Sequence, residues 1–156
     1  MSFDVSIVPC GSYDMVEVRA ALAAALAPLG GLDWVQPGMK IAVKVNLISA
    51  MRPDAAATVH PALLTALTEL LQERGASVVL GDSPGGLFTA AHLNRVYDVC
   101  GLRQCEQAGA TLNLDTAQTE ARFPEARTSL RIPASKAEIY SSIPISVCQS
   151  LFKYFP

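Results

Sequence analysis

Charge is scarce in this chain and balanced where it occurs. Only 17% of the 156 residues are Asp, Glu, Lys or Arg, and twelve bases against fourteen acids leave a formal net charge of −2. Without a basic excess there is no general electrostatic footprint for nucleic acid or an anionic membrane, and neither is expected as a partner. Long apolar runs are missing too. Charge, Pro or Gly interrupts each one well before the roughly 20 residues that a membrane-spanning helix requires. The opening Met1-Ser2-Phe3-Asp4 lacks the basic-then-apolar layout of a secretory signal, so a cytoplasmic protein is the expectation. Cysteine is limited to Cys10, Cys100, Cys105 and Cys148, with no C-x-x-C pair. That spacing argues against a local zinc ribbon, a thioredoxin motif or a ferredoxin cluster run, and predicts reduced thiols and no metal.

Apolar residues are plentiful, at 51% of the chain, enough for one domain with a sizeable core. Their arrangement alternates between two periods. Val5 to Val8 is a short β-rich run that ends at Pro9-Cys10-Gly11-Ser12. Asp14 is placed to cap a helix, with Glu17 as its capping-box partner and Val18, Leu22, Leu26 and Leu29 at helical spacing up to Gly30-Gly31. A second strand is predicted over Lys40 to Val45, followed by a long loop from Leu47 to Val59. Pro61 suits the first turn of the next helix, whose apolar face runs through Leu63, Leu67, Leu70 and Leu71 to a stop at Gly75. Ser77 to Leu80 reads as a third strand and Gly81 to Gly86 as a tight loop. A third helix follows from about Thr89 to Val99, with a further turn through Cys105, and Thr111 to Leu114 reads as a fourth strand.

Strand alternating with helix predicts an α/β fold: an open, mostly parallel sheet flanked by helices in Rossmann-like layers. The weak polar alternation within the strands predicts burial on both faces. From about Ala117 the alternation fades. The expectation is an α/β domain over residues 1–125 and a divergent tail over 126–156, with the sheet left incomplete.

Open parallel sheets bind ligands outside the carboxyl ends of their strands. That rule gathers Cys10, Gly11 and Ser12 from the first strand, Lys44 and Asn46 from the second, and Asp82, Ser83, Gly85 and Gly86 from the third. Thr58 and His60 arrive with the start of the second helix. Lys44 lies within Ile41-Ala42-Val43-Lys44-Val45-Asn46-Leu47, where an unpaired ammonium is costly to bury. It is either a cation for a phosphate or carboxylate, or a lysine with a lowered pKa, or a strand-end residue that snorkels to water or pairs with Asp82. His60 is either a proton carrier or a helix-start residue bonded to backbone. Asp82 is a base, a partner for His60 or Lys44, or the anchor of an Asx-type turn. His92, with no chemical neighbour in sequence, reads as surface or packing.

Gly81-Asp82-Ser83-Pro84-Gly85 matches the letters of a nucleophile elbow. Pro84, however, has no N–H for an oxyanion hole, and it restrains Ser83 to extended backbone. No histidine follows His92 to complete a Ser–acid–His order, so a serine hydrolase is disfavoured. Neither standard nucleotide fingerprint is present.

Three segments together resemble one family. Pro37-Gly38-Met39-Lys40 with Lys44-Val45-Asn46-Leu47 is similar to its "PGMKVLLKPNL" segment, and Thr58-Val59-His60-Pro61 to its "T-x-HP" helix start. Gly81-Asp82-Ser83-Pro84-Gly85-Gly86 is similar to its "GDSPGG" loop. The chain therefore resembles the domain-of-unknown-function-362 family, often labelled iron–sulfur centre proteins, over about Val5 to Phe123. The resemblance implies an α/β domain whose relatives often carry a 4Fe-4S cluster, and it marks Lys44, Asn46, Thr58, His60, Asp82, Ser83, Gly85 and Gly86 as site-forming. Two departures stand out. Val45 replaces the usual proline, which is expected to loosen the turn after the strand. The cluster cysteines are absent, as in a truncated or C-terminally divergent member.

The leading expectation is a domain that binds a small anionic ligand at the strand carboxyl ends, related to redox or iron–sulfur-linked enzymes. Lys44 would neutralise the anion, the Gly85-Gly86 backbone would approach it, and Asp82 with His60 would be the proton-transfer pair. The rival is a non-catalytic fragment or interaction module that forms a homo-oligomer or completes its sheet with a partner.

Overall fold

The computed structural model describes residues 5–121 and 130–133. Helix α1 covers Met15–Leu26 and continues as a 3-10 turn over Ala27–Leu29; strand β1 is Lys40–Lys44, helix α2 Pro61–Gln72 and strand β2 Ser77–Gly81. Helices α3 (Ala90–Val99) and α4 (Arg103–Gln107) precede the short strand β3, Thr111–Leu112. The sheet order is β1-β2-β3 with both pairings parallel, Lys44 opposite Gly81 and Leu80 opposite Leu112. This is an open α/β sheet flanked by helices.

Local signals explain most element boundaries. Asp14 caps α1 by accepting from the Val16 and Glu17 N–H groups, an arrangement worth about 1 kcal/mol. Glu17 does not close a capping box on Asp14. It accepts instead from Gly11 N–H and Ser12 Oγ, which pulls the segment before the helix against its first turn. At the far end of α2 the chain turns at Gly75, whose φ is +81° and whose Cα leaves 3.0 Å between a built Cβ and the Pro37 ring. Only glycine fits that turn without strain.

The core is one cluster. Val18 and Leu22 of α1, Leu64, Leu67 and Leu71 of α2, and Ile41, Val43, Val78 and Leu80 of the strands are all buried in it. Leu93, Val96 and Tyr97 extend the cluster through α3, and Cys100, Leu102 and Cys105 through the turn into α4. Arg19 of α1 bridges Glu69 and Glu73 of α2 across the helix pair.

Several expectations need correction. Val5–Val8 forms no strand: Ile7 is 89% exposed and Val5 50%, so β propensity alone did not make one. The faces of the sheet are covered unequally, since Ile41, Val43, Val78 and Leu80 are buried while Ala42 and Val79 keep partial exposure. The fourth predicted strand shrinks to Thr111–Leu112, because only two residues pair with β2. Beyond Ala117, β4 (Gln118–Ala121) pairs antiparallel with β5 (Leu130–Pro133) as a separate two-stranded sheet. The alternation criterion for crossover units has no sensitivity to such a pair. Finally, Val45 does not loosen the turn. It is fully buried and its N–H donates to Gly81 O at 3.1 Å, a bond that a proline cannot make.

Candidate functional site

Because β1 and β2 are parallel and in register, Lys44 and Gly81 finish at the same sheet edge, and the next residues of both strands meet there. Lys44 Nζ forms an ion pair with Asp82 Oδ1 at 3.1 Å and donates a hydrogen bond to Asn46 Oδ1 at 3.0 Å. The other Asp82 oxygen accepts the Leu47 N–H at 2.6 Å. The two ends of the pair differ in access to water: the Asp82 side chain is 5% exposed and that of Lys44 32%. Asp82 is thus a sheltered anchor that clamps both strand ends, while the Lys44 side chain keeps partial exposure.

Asn46 is held at φ +60°, the left-handed region that Asn tolerates better than most residues. Lysine can only donate, so the Asn46 carbonyl oxygen must face it, and the amide NH2 is left pointing elsewhere. The Lys44 ammonium can donate up to three hydrogen bonds, one of which goes to Asn46 Oδ1.

The glycine loop is braced from both sides. Gly85 N–H donates to Ile48 O at 2.9 Å, and Gly85 O bonds His92 Nε2 at 2.9 Å. Gly86 has φ +106°, and a Cβ there would stand 3.0 Å from His92 Nε2. The Gly85 N–H is therefore committed to protein rather than turned toward a ligand. His92, read from sequence as surface or packing, is the residue that holds this loop. Ser83 is half-buried and Pro84 buried.

His60 lies in a different setting. It is the N-cap of α2, where its Nδ1 accepts the Ala62 N–H at 3.2 Å, and its ring stacks on Tyr13 with centroids 3.5 Å apart. Burial lowers its pKa below the usual imidazole value, which keeps Nδ1 free to accept. No hydrogen bond or ion pair joins His60 to Asp82 or Lys44 among the described residues. Thr58 Oγ1 is buried without a partner among them. Cys10, Gly11 and Ser12 sit on the segment that Glu17 holds against α1.

Tyr97 was missed by sequence reasoning. It is fully buried, its hydroxyl donates to Asn113 O at 2.6 Å, and its pKa is pushed up to about 12 by burial and by the Asp82 carboxylate nearby. It links the Asp82 loop to the end of β3. A tyrosine on an apolar helix face carries no sequence signal of that contact, since Asn113 lies 16 residues away.

The described thiols do not fit an iron–sulfur cluster. Cys10 is exposed, whereas Cys100 and Cys105 are buried. The Cys100 thiol bonds Ser49 O, and that of Cys105 bonds Pro61 O. Burial raises the Cys105 pKa, opposite to what a thiolate ligand needs. No group of three or more His, Cys, Asp or Glu is arranged for a metal ion among the described residues. Cys148 lies outside the described residues.

Comparison with known proteins places these residues in context. The family model described as "Domain of unknown function (DUF362)" matches residues 41–149, a range that begins with β1 and runs past residue 125. A thylakoid-associated protein of Synechocystis sp. is 36% identical over 81 residues, which cover 51% of this chain and 25% of that protein. The chain thus spans about a quarter of the length of the curated relative it matches. No solved structure matches.

Proposed function

The chain belongs to the family described as domain of unknown function DUF362, and on that premise we propose that its β1–β2 edge binds a small anionic ligand through Lys44 and Asn46. The observation that carries this reading is the split in the Lys44–Asp82 pair, with a sheltered carboxylate and a partly exposed lysine. Asn46, held in a left-handed conformation with its oxygen committed to Lys44, keeps two further N–H donors on the same side chain. Asp82 orients the lysine and limits the net positive charge, so the site favours an anion that can also accept several hydrogen bonds, such as a phosphate or carboxylate. Calorimetric titration with inorganic phosphate and with acetate tests this. Saturable binding that disappears in Lys44→Met supports the reading, and unchanged binding in that variant removes Lys44 from the site.

A second reading has its own observation. The outer edge of β1 carries no strand among the described residues, and Val5 and Ile7 are exposed. Unpaired edges recruit strands, so an interaction module, including a homo-oligomer, is the alternative to a binding site. Size-exclusion chromatography with light scattering separates the two, because a monomer at high concentration argues against an interaction edge. No helix among the described residues is long and apolar enough to cross a membrane. Residence in the cytoplasm rests on the sequence layout, and fractionation of cells between membrane and supernatant tests it against the association that the relative's name records.

A further inference from the structure

Ile48 and Leu87 are large apolar side chains left 61% and 77% exposed. They ride on the two loops that leave the strand ends bearing Lys44 and Asp82. The bond from Gly85 N–H to Ile48 O, 2.9 Å long, ties those loops together. Leu87 is two residues past Gly85 and Asp82 three before it, so backbone reach holds Leu87 within about 7 Å of Gly85 and Asp82 within about 11 Å. Neither loop is a free tip. The Cys100 thiol bonds Ser49 O next to Ile48, and His92 bonds Gly85 O. Two exposed apolar groups therefore sit on a braced pair of loops that leave the charge-bearing strand ends.

A hydrophilic anion has no use for that rim. The Lys44 charge is shared with Asp82, so apolar contact would add to what a charged head gains there. We infer that the ligand is amphiphilic: a free alkyl or acyl chain ending in a phosphate or carboxylate, with its head on Lys44 and Asn46 and its chain across Ile48 and Leu87. This rests on the anion-binding reading above and adds the class of molecule bound.

The test compares methyl phosphate with octyl phosphate, below its micellar concentration, by calorimetry on the full chain. A half-buried methylene tightens binding about twofold, and several can reach the rim, so octyl phosphate is expected to bind at least about tenfold more tightly. The double variant Ile48→Ser/Leu87→Ser, altered only at exposed positions, is expected to bind the two phosphates alike. Equal affinity in the unaltered protein overturns the amphiphile and leaves the small-anion reading standing. Failure of both phosphates to bind overturns both readings. Octyl phosphate that binds undiminished to Lys44→Met has no head-group contact and also overturns the proposal. Sedimentation with phosphatidic acid vesicles distinguishes a bilayer source: capture by vesicles without affinity for octyl phosphate overturns the assignment to a free ligand.

Discussion

Replacing Lys44 with Met isolates the value of the ion pair at the strand ends. The substitution keeps most of the aliphatic stem and removes the ammonium. It leaves the Asp82 carboxylate, 5% exposed, with the Leu47 N–H as its remaining charge-stabilising bond. Fully exposed pairs contribute about 0.2–1 kcal/mol, and stranding one partner of a fully buried pair costs about 3–5 kcal/mol. This pair lies between those limits, since water reaches Lys44 but scarcely Asp82. A loss of about 2 kcal/mol is expected. Asp82→Asn removes the stranded charge yet keeps a side-chain oxygen for the Leu47 N–H. In that background Lys44→Met should cost less than about 0.5 kcal/mol, giving a coupling near 1.5 kcal/mol. Urea denaturation of the four proteins of this cycle measures it through the midpoint at constant slope. If Lys44→Met costs the same in both backgrounds to within about 0.5 kcal/mol, the ammonium and carboxylate are not coupled in solution, and the clamp described here is wrong.

Three further outcomes follow from the site. The folded pKa of His60 is lowered by burial, so the unfolded chain binds more protons in acid, and stability should fall as pH drops below about 6.5 toward the folded value. His60→Asn supplies an equally good cap without a titrating ring, so its denaturation midpoint should lose that part of the acid dependence, whereas His60→Ala should lose about 1 kcal/mol at neutral pH. Tyr97 is raised to about 12, so the unfolded chain releases its proton first, and stability should decline as pH climbs from about 10 toward 12. Tyr97→Phe should remove that decline and cost about 1–2 kcal/mol at neutral pH for the lost bond to Asn113 O, both read from denaturation at several pH values. Gly86→Ala meets a positive φ and the His92 ring together and should destabilise by about 1–3 kcal/mol. Adding His92→Ala should recover only the steric share, and full recovery in thermal melts would show that the backbone conformation is not strained.

Periodicity and punctuation made much of the architecture legible. Asp14, Pro61 and Gly75 mark helix boundaries through caps and turns that depend on a few adjacent residues, and local forces of that kind act before tertiary structure exists. The runs Lys40–Lys44 and Ser77–Gly81 read as strands because their apolar content matches a buried parallel pair. Lys44 and Asp82 were legible as strand-end residues for the same reason, and their pairing was one of the two readings the sequence left open. Val5–Val8 has the same β-rich character and makes no strand. A strand forms only when its backbone docks on a sheet edge, and composition says nothing of whether a segment will dock.

Contacts between distant segments belong to the tertiary structure alone. Sequence placed Lys44 and Asp82 near one sheet edge, but only the register of β1 on β2 set them 3.1 Å apart with unequal access to water. Only packing decided that His60 serves the start of α2 against Tyr13, that His92 braces Gly85, and that Tyr97 reaches Asn113. Each of these is a hydrogen bond or ring contact of a few ångströms between groups whose own sequence neighbourhoods carry no trace of the partner. Hydrophobic period and turn chemistry are short-range and written in the chain; the direction in which a polar side chain points depends on the whole fold that surrounds it.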